Sequence, residues 1–236
     1  ITIKKIQTTS DDIYSLVSKS TIPENIQLPK TISTKGTFKG SISNFDVNLL
    51  VNSSMGNAKV EANFDQTTKD KEKYTAKAWL DEFNLGAFLK NKNLGKLSVQ
   101  ADVKGIGLNP KTANTTVNST ITKAEFNQYA YHDINANATL QNGLYNATIN
   151  SNDQNLKFAL VSNGGFKDKY PTLKLNLKLD IADLRKLNLH AGYLKIKGDV
   201  NADFDQIDID NLNGKLSITN TLVALETEQF PIDSIN

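Results

Sequence analysis

The chain has 236 residues, which is enough for one large domain or two smaller ones with a sizeable core. Its apolar fraction of 39% lies below the roughly 45–50% of typical globular domains, which favours a one-sided apolar layer. The 27 basic and 25 acidic residues are interspersed and give a net charge of +2, which argues against the basic stripe that nucleic-acid binding requires. Because there is no cysteine, disulfides, thiolate metal sites and cysteine nucleophiles are excluded.

The first predicted element is a short helix near the N-terminus. Ser10 is a suitable N-cap, two acidic residues follow it, and the next apolar residues fall at helical spacing. Pro23 ends the helix, and shortly afterwards the sequence changes to a period of two. We therefore predict a helical lead-in over residues 1–28 and a repeated β segment over residues 29–236.

In most of the β segment, apolar and polar residues alternate, which is the pattern of half-buried strands. The clearest case is 172–181, T-L-K-L-N-L-K-L-D-I, whose five branched apolar residues are predicted to lie on one face. The alternation recurs at 97–103, 134–140 and 194–200. We predict an all-β, mostly antiparallel sheet with strands about ten residues, or about 33 Å, long.

Asn and Gly residues punctuate this alternation and predict turns. Asn142-Gly143 lies between two alternating runs and is the strongest hairpin signal in the sequence. Further turns are predicted at 52–57, 150–155, 163–165 and 213–214.

Two stretches, 83–95 and 183–192, interrupt the alternation. In each, apolar residues fall three or four apart before a Gly, which predicts a short helix between two strands. Their matching positions predict an internal repeat, in which Leu97 aligns with Leu194. The unequal unit lengths favour a loose array over a strict solenoid. The approximate units are 29–82, 83–181 and 182–236.

The alternating apolar face has two interpretations, a closed sandwich or barrel core and an open trough. Periodicity alone favours the closed core, and a plain β-sandwich binding module stays possible on this evidence. Small residues such as Ala78, Ala101 and Gly198 favour the trough, because they leave room where a packed interior would hold bulky side chains. The predicted lining residues of the trough are Phe38, Val99, Val103, Leu173, Leu175, Leu177, Leu179, Ile196 and Val200.

The sequence contains no recognisable catalytic constellation, phosphate-binding loop or metal-ligand cluster. His132 and His190 lack further ligand groups and are interpreted as surface residues. Trp79 is interpreted as a packing anchor in preference to a sugar-stacking platform. We expect no enzymatic activity, no metal and no cofactor.

A series of short stretches occurs in an order that is informative when taken together. They are I-Q-L-P-K at 26–30, G-T-F-K-G at 36–40, F-D-V-N-L at 45–49, F-N-L-G at 83–86, L-G-K-L at 94–97, Y-A-Y at 129–131 and N-G-L-Y at 142–145. In this order the chain resembles the AsmA-like proteins, and within them the TamB family in its Bacteroidetes-type form. The resemblance covers nearly the whole chain.

The resemblance implies an elongated, curved and incompletely closed sheet, a U-shaped trough or β-taco with an apolar inner wall. It implies an internal fragment of a long periplasmic protein of a Gram-negative bacterium, anchored in the inner membrane by a segment outside this chain. An outer-membrane β-barrel protein of the TamA type would be its partner, also through regions outside this chain. The implied function is phospholipid transport between the membranes along an apolar groove, and the alternative is a scaffold or chaperone for outer-membrane protein assembly.

Overall fold

Strands account for most of the molecule in a computed structural model that describes residues 1–17, 22–68, 71–208 and 212–235. The first seven are β1 (Thr2–Thr9), β2 (Thr31–Ser41), β3 (Asn44–Ser53), β4 (Gly56–Asp65), β5 (Lys73–Asn84), β6 (Leu94–Ile106) and β7 (Asn114–Phe126). The remainder are β8 (Tyr129–Gln141), β9 (Leu144–Asn152), β10 (Leu156–Gly165), β11 (Thr172–Asp183), β12 (Lys195–Gln206), β13 (Asn213–Ala224) and β14 (Gln229–Ile235). Two short helices accompany them, α1 (Ser10–Leu16) and α2 (Leu85–Phe88).

All fourteen described strands belong to one sheet, in which each strand is antiparallel to the next one along the chain. Within the described ranges β1 and β14 each pair with a single neighbour, so the sheet is open. This confirms the predicted all-β, antiparallel open sheet with short helices. An up-and-down order of this kind follows from short connections, which join strands that lie side by side.

The N-terminal lead-in contains the predicted helix, which ends at Leu16 and not at Pro23, and also a strand, β1, which pairs with β2. Thr9 is the N-cap in place of the predicted Ser10. Its hydroxyl accepts the Asp12 backbone N–H at 3.2 Å, and the Asp12 carboxylate accepts the Thr9 N–H at 2.9 Å. Residues 18–21, which the predicted lead-in also covers, lie outside the described residues.

The two segments predicted as short helices between strands, 83–95 and 183–192, differ in structure. The first contains α2, a single helical turn. The second forms hydrogen-bonded turns without an α-helix, in which the Leu187 N–H bonds the Asp183 carbonyl at 3.0 Å. Asn188 then adopts a left-handed conformation with φ of 58°, which ends the turn before a helix can extend.

The internal repeat is visible in the sheet, because β11 has the same length as β5 and lies a fixed number of residues further along the chain. The bounds of β5 and β11 differ by 99 residues at both ends (73 to 172 and 84 to 183). Both strands carry a register shift at the equivalent place, and both end in an N-cap for the following turn. The Asn84 side chain accepts the Ala87 N–H at 2.9 Å, and the Asp183 side chain accepts the Lys186 N–H at 3.1 Å.

This offset corrects the sequence alignment of the repeat. Asn84 pairs with Lys96, and Asp183 pairs with Lys195, so Leu97 is equivalent to Ile196 and not to Leu194. The alternation was read correctly, but a period-two pattern matches itself equally well when it is moved by two residues.

The turn predictions divide into correct and incorrect ones. Asn142 and Gly143 form the β8–β9 hairpin, with φ of 48° and 77°, as a type I′ turn requires. The predicted turns at 163–165 and 213–214 are wrong, because these residues lie inside β10 and β13. At Gly164 a β-carbon would lie 2.0 Å from the Thr172 carbonyl oxygen, so glycine serves close strand packing there.

A bulge changes the predicted face of one residue in 172–181. Leu173 to Leu179 keep their parity, but the register shifts between Leu179 and Ala182. Ile181 is therefore opposite Lys157 and does not continue the apolar row as predicted.

No second layer packs on this sheet within the described residues. Buried apolar side chains are few, and most apolar strand residues are only half-buried. The accessible surface is 15067 Å², against roughly 10,500 Å² expected for a compact protein of this mass. The sandwich interpretation fails for this reason, since a two-layer core would bury one face of each strand.

Candidate apolar binding face

Cross-strand register shows which side chains share a face, because directly opposed residues in an antiparallel pair point to the same side. Two adjacent rows of mostly apolar residues run across twelve strands, and we call them the floor rows. The first is Gly36, Leu49, Val60, Ala78, Ala101, Ser119, Ala136, Ile149, Leu160, Leu177, Val200 and Ile218. The second is Phe38, Val47, Ala62, Ala76, Val103, Val117, Ala138, Ala147, Ser162, Leu175, Ala202 and Leu216.

A bulkier row flanks the floor rows on each side. One flanking row includes Leu80, Val99, Ile121, Ile134, Phe158 and Leu179. The other includes Phe45, Phe64, Tyr74, Leu140, Tyr145, Leu173 and Phe204. We call the side of the sheet that carries these four rows the apolar face, and the opposite side the polar face.

The side chains of the floor rows are smallest across β4 to β9. There the two floor rows hold mainly alanine, with three Val, one Ser and one Ile, whereas the flanking rows hold Leu, Ile, Val and aromatic side chains, interrupted by small residues such as Gly105 and Ser151. The flanking rows lie six residues apart along a strand, or about 20 Å. This arrangement leaves a shallow apolar strip that runs across the strands between two higher borders.

All nine residues predicted to line the trough lie on the apolar face, and all are half-buried. Eight of them belong to the four rows, and Ile196 continues the parity of Gly198 and Val200 within β12. That they line a concavity for a ligand stays a prediction.

A surface concavity of about 680 Å³ lies elsewhere, over β2 to β7. Most of its lining comes from two rows of the polar face, and Val103 is the one predicted residue that borders it. Four of its charged groups have partners: Lys77 lies 3.6 Å from Asp102, Glu61 lies 2.6 Å from Lys59, and Asp46 accepts a hydrogen bond from Asn63 at 2.8 Å. We interpret it as the furrow between two parallel rows of long polar side chains.

The ends of the strands form two borders of the sheet, and these borders differ in how far side chains cover them. We call the edge where the odd-numbered strands end the α2 rim, and the edge where the even-numbered strands end the Gly143 rim. At the α2 rim a small core covers the end of the apolar face. It consists of Tyr131, Ala182 and Leu187 with the partly buried Tyr129, Ile134, Leu156, Leu179 and Leu184.

A buried carboxylate, Asp153, completes the α2 rim, with its side chain 1% exposed. Its oxygens accept the Tyr129 hydroxyl at 2.6 Å and the backbone N–H groups of His132, Asn155 and Leu156 at 3.0, 2.8 and 3.2 Å. Burial acts to raise the pKa of Asp153, but these hydrogen bonds together hold that pKa below its ordinary value. Burial, together with the hydrogen bond that the Tyr129 hydroxyl donates to Asp153, raises the pKa of Tyr129 to about 12.

The Gly143 rim is more open and carries aromatic and cationic side chains. Tyr145 stacks on Phe166 with ring centroids 5.4 Å apart, and Phe166 is 38% exposed. A β-carbon on Gly143 would lie 2.8 Å from the Lys167 Cγ and 3.1 Å from the Lys111 carbonyl oxygen, so these loops converge at this residue.

The remaining residues singled out in the sequence lie apart from the apolar face. His132 is half exposed, with its Nδ1 3.7 Å from Asp153, and the exposed His190 ring contacts the Gly192 backbone. Trp79 lies on the polar face, opposite Lys59, whose ammonium is 4.5 Å from the ring centroid. It therefore packs against a cation and is not an anchor in an apolar core.

Neither a metal centre nor a membrane-crossing helix is found in the part of the chain that the structure describes. Across those ranges no three His, Asp or Glu side chains are grouped closely enough to hold an ion. Nor does any described helix have the length and apolarity that spanning a bilayer requires.

Comparisons with known proteins add no relative. No protein-family model matches the chain, and neither a curated protein nor a solved structure matches it. The fold and the apolar face therefore carry the functional argument.

Proposed function

We propose that this chain is a periplasmic segment of a bridge between the inner and outer membranes, similar to TamB and other AsmA-like proteins, whose apolar face carries phospholipid acyl chains. The observation that carries the proposal is the continuous apolar face, which the described residues cover only at the α2 rim. Eleven strand spacings by about 20 Å give it an area on the order of 1,000 Å². The largest apolar patch of a typical monomer is about 300–600 Å², and larger ones mark interaction surfaces.

Acyl chains suit such a face for a thermodynamic reason. Each CH₂ group moved from water to an apolar wall contributes about 0.8 kcal/mol, and no specific polar pocket is needed. A face without deep pockets holds hydrocarbon without fixing its position along the sheet. Lipid can then slide across the strands, which is what transport along a conduit requires.

The direct experiment measures lipid content by mass spectrometry, together with the melting temperature, for the parent and two variants. Leu177→Asp places a carboxylate in a floor row, opposite Leu160 and Val200. Because Leu177 is half-buried on an uncovered face, water can reach the new charge. We expect a cost of about 1–2 kcal/mol, a retained fold and a large loss of bound phospholipid.

Asn176→Asp is the matched control, since it adds the same charge one residue away on the polar face. Lys178 is less suitable, because it lies opposite Asp199 and 3.7 Å from Asp180. The control should keep both lipid and stability. Absence of lipid from the parent, or full lipid content in Leu177→Asp, would contradict the proposal.

The free strand edges favour a second candidate, a scaffold for outer-membrane protein assembly. β14 pairs only with β13 among the described strands and exposes Phe230 and Ile235. Such an edge can add a strand from a client or from a β-barrel partner. In that case Leu177→Asp, which leaves the edges intact, should spare client binding.

A further inference from the structure

The openness of the two rims decides where the polar part of a bound lipid can reach water. At the α2 rim, Leu187 is 1% exposed and covers the end of the apolar face over β8 to β11. At the Gly143 rim, the aromatic flanking row is half-buried and leads directly to exposed apolar residues. These are Leu108 and Phe166, which are 58% and 38% exposed.

The chemistry of the Gly143 rim changes from apolar to polar over a short distance. The Tyr74 hydroxyl lies 2.6 Å from the Thr115 hydroxyl, and 3.3 Å from the Gly107 carbonyl just beyond the end of β6. Tyrosines with an apolar ring and a polar end suit the boundary between hydrocarbon and water.

Cations lie immediately beyond this boundary. Lys111, Lys167 and Lys169 are exposed, and the loop that holds the last two contributes one acid, Asp168. None of the three lysines has an ion pair among the described interactions, whereas several strand lysines elsewhere do. The convergence of two loops at Gly143 keeps Lys111 and Lys167 close together.

We infer that the Gly143 rim between β6 and β11 is the head-group site for an anionic phospholipid, whose acyl chains lie on the floor rows and whose phosphate contacts Lys111 and Lys167. This inference rests on the proposed function and specifies the ligand of the same face. Charge complementarity supports the occupant, because an anionic phosphate beside hydrocarbon needs cations at the apolar border. The α2 rim also has exposed cations, but Arg185 and Lys186 lie between two residues of the buried core, and the Lys90 ammonium donates to the Glu24 carbonyl.

The test compares uptake of palmitoyl-oleoyl phosphatidylglycerol and the matching diacylglycerol, which differ only in the anionic head group. The protein is incubated with each lipid in detergent micelles, and native mass spectrometry measures occupancy. We expect the parent to prefer phosphatidylglycerol by about tenfold at low salt and by less at 0.5 M salt, because exposed charges are screened.

The double variant Lys111→Glu with Lys167→Glu should lose this preference and still take up diacylglycerol. The variant Lys111→Gln with Lys167→Gln removes the charges without adding new ones, and should lose most of the preference. The matched control, Lys90→Glu with Lys186→Glu at the α2 rim, should keep it.

An unchanged preference in both Gly143-rim variants, or its loss in the α2-rim control, would overturn the inference. Equal uptake of both lipids by the parent would overturn it and leave the proposed acyl-chain site intact. Uptake of neither lipid would refute the proposed function, and the inference with it.

Discussion

Asp153 and its neighbours form the most enclosed polar cluster described in the molecule, and they close one rim of an otherwise open sheet. Its carboxylate lies at the end of β9, where it accepts four hydrogen bonds that order the loop into β10. No motif in the sequence identified this residue. Its position in a stretch of Asn, Asp and Gln residues predicted only a turn, and two of its four donors come from β8, which alternation cannot reveal.

Asp153→Asn should destabilise the protein by about 1–3 kcal/mol, because charge-assisted hydrogen bonds become neutral ones and one acceptor oxygen is replaced. The pKa of Asp153 is depressed in the folded state, so its contribution to stability is present above its ordinary value of 3.8 and is lost as pH falls through the folded pKa. Melting temperatures between pH 7 and 2.5 measure this. The difference between parent and variant should be constant above about pH 5 and should shrink below pH 4.

Asp133→Asn is the control for this prediction. Asp133 is exposed and has φ of 53°, a conformation that Asn also tolerates. It should change the melting temperature little at any pH. An equal loss in the two variants would mean that the hydrogen bonds to Asp153 do not stabilise the rim.

At the scale of strands and turns, alternation predicted the faces correctly wherever a strand is regular. It failed at bulges, as at Ile181, because an extra residue changes parity without changing composition. It also missed the tight turn at Asn127 and Gln128, which takes φ of 48° and 64° without any glycine. Turns are therefore only partly predictable from the positions of the Gly residues.

Glycines inside strands form a recurring feature on the flanking row at the Gly143 rim. A β-carbon on Gly105 would lie 2.5 Å from the Tyr74 ring, and one on Gly164 would lie 2.8 Å from the Tyr145 ring. In each case the aromatic ring of the neighbouring strand lies over the glycine. This explains why Asn163-Gly164-Gly165 resembles a turn in sequence but is a strand in the structure.

Gly164→Ala should therefore cost about 1–3 kcal/mol, since the new methyl group meets both the Thr172 carbonyl and the Tyr145 ring. Gly192→Ala is the matched control, because there the nearest atom is the His190 Cε1 at an ordinary 3.4 Å. Denaturant unfolding of both variants checks the prediction. If the two variants lose equal stability, Gly164 is not required for close packing of the strands.

For the whole molecule, the sequence supported a one-sided apolar sheet but could not decide between an open sheet and a closed core. That choice depends on whether a second layer covers the face, and alternation is the same in both cases. The low apolar fraction and the alanines of the floor rows pointed correctly to the open form. The Gly143 rim was not predictable, because it depends on which loops converge at Gly143.

The alanine floor gives a test that separates binding from stability. Ala101 lies in a floor row between Ala78 and Ser119, and no described element covers it. Ala101→Phe would raise the floor to the height of the flanking rows and obstruct hydrocarbon lying across the strands. Because Phe is favourable in strands and nothing opposes it, stability should change by less than about 1 kcal/mol while bound phospholipid falls severalfold.

Gln100→Phe provides the comparison, since it adds the same side chain one residue away on the exposed polar face, between Trp79 and Thr120. It should leave bound phospholipid unchanged. In a closed core, by contrast, Ala101→Phe would overpack the interior and cost about 1–3 kcal/mol. Lipid quantification and melting temperature on the same samples therefore distinguish three cases. Loss of lipid alone supports an acyl-chain path over Ala101, and loss of stability indicates a covered face. Loss of neither places the path away from the floor rows.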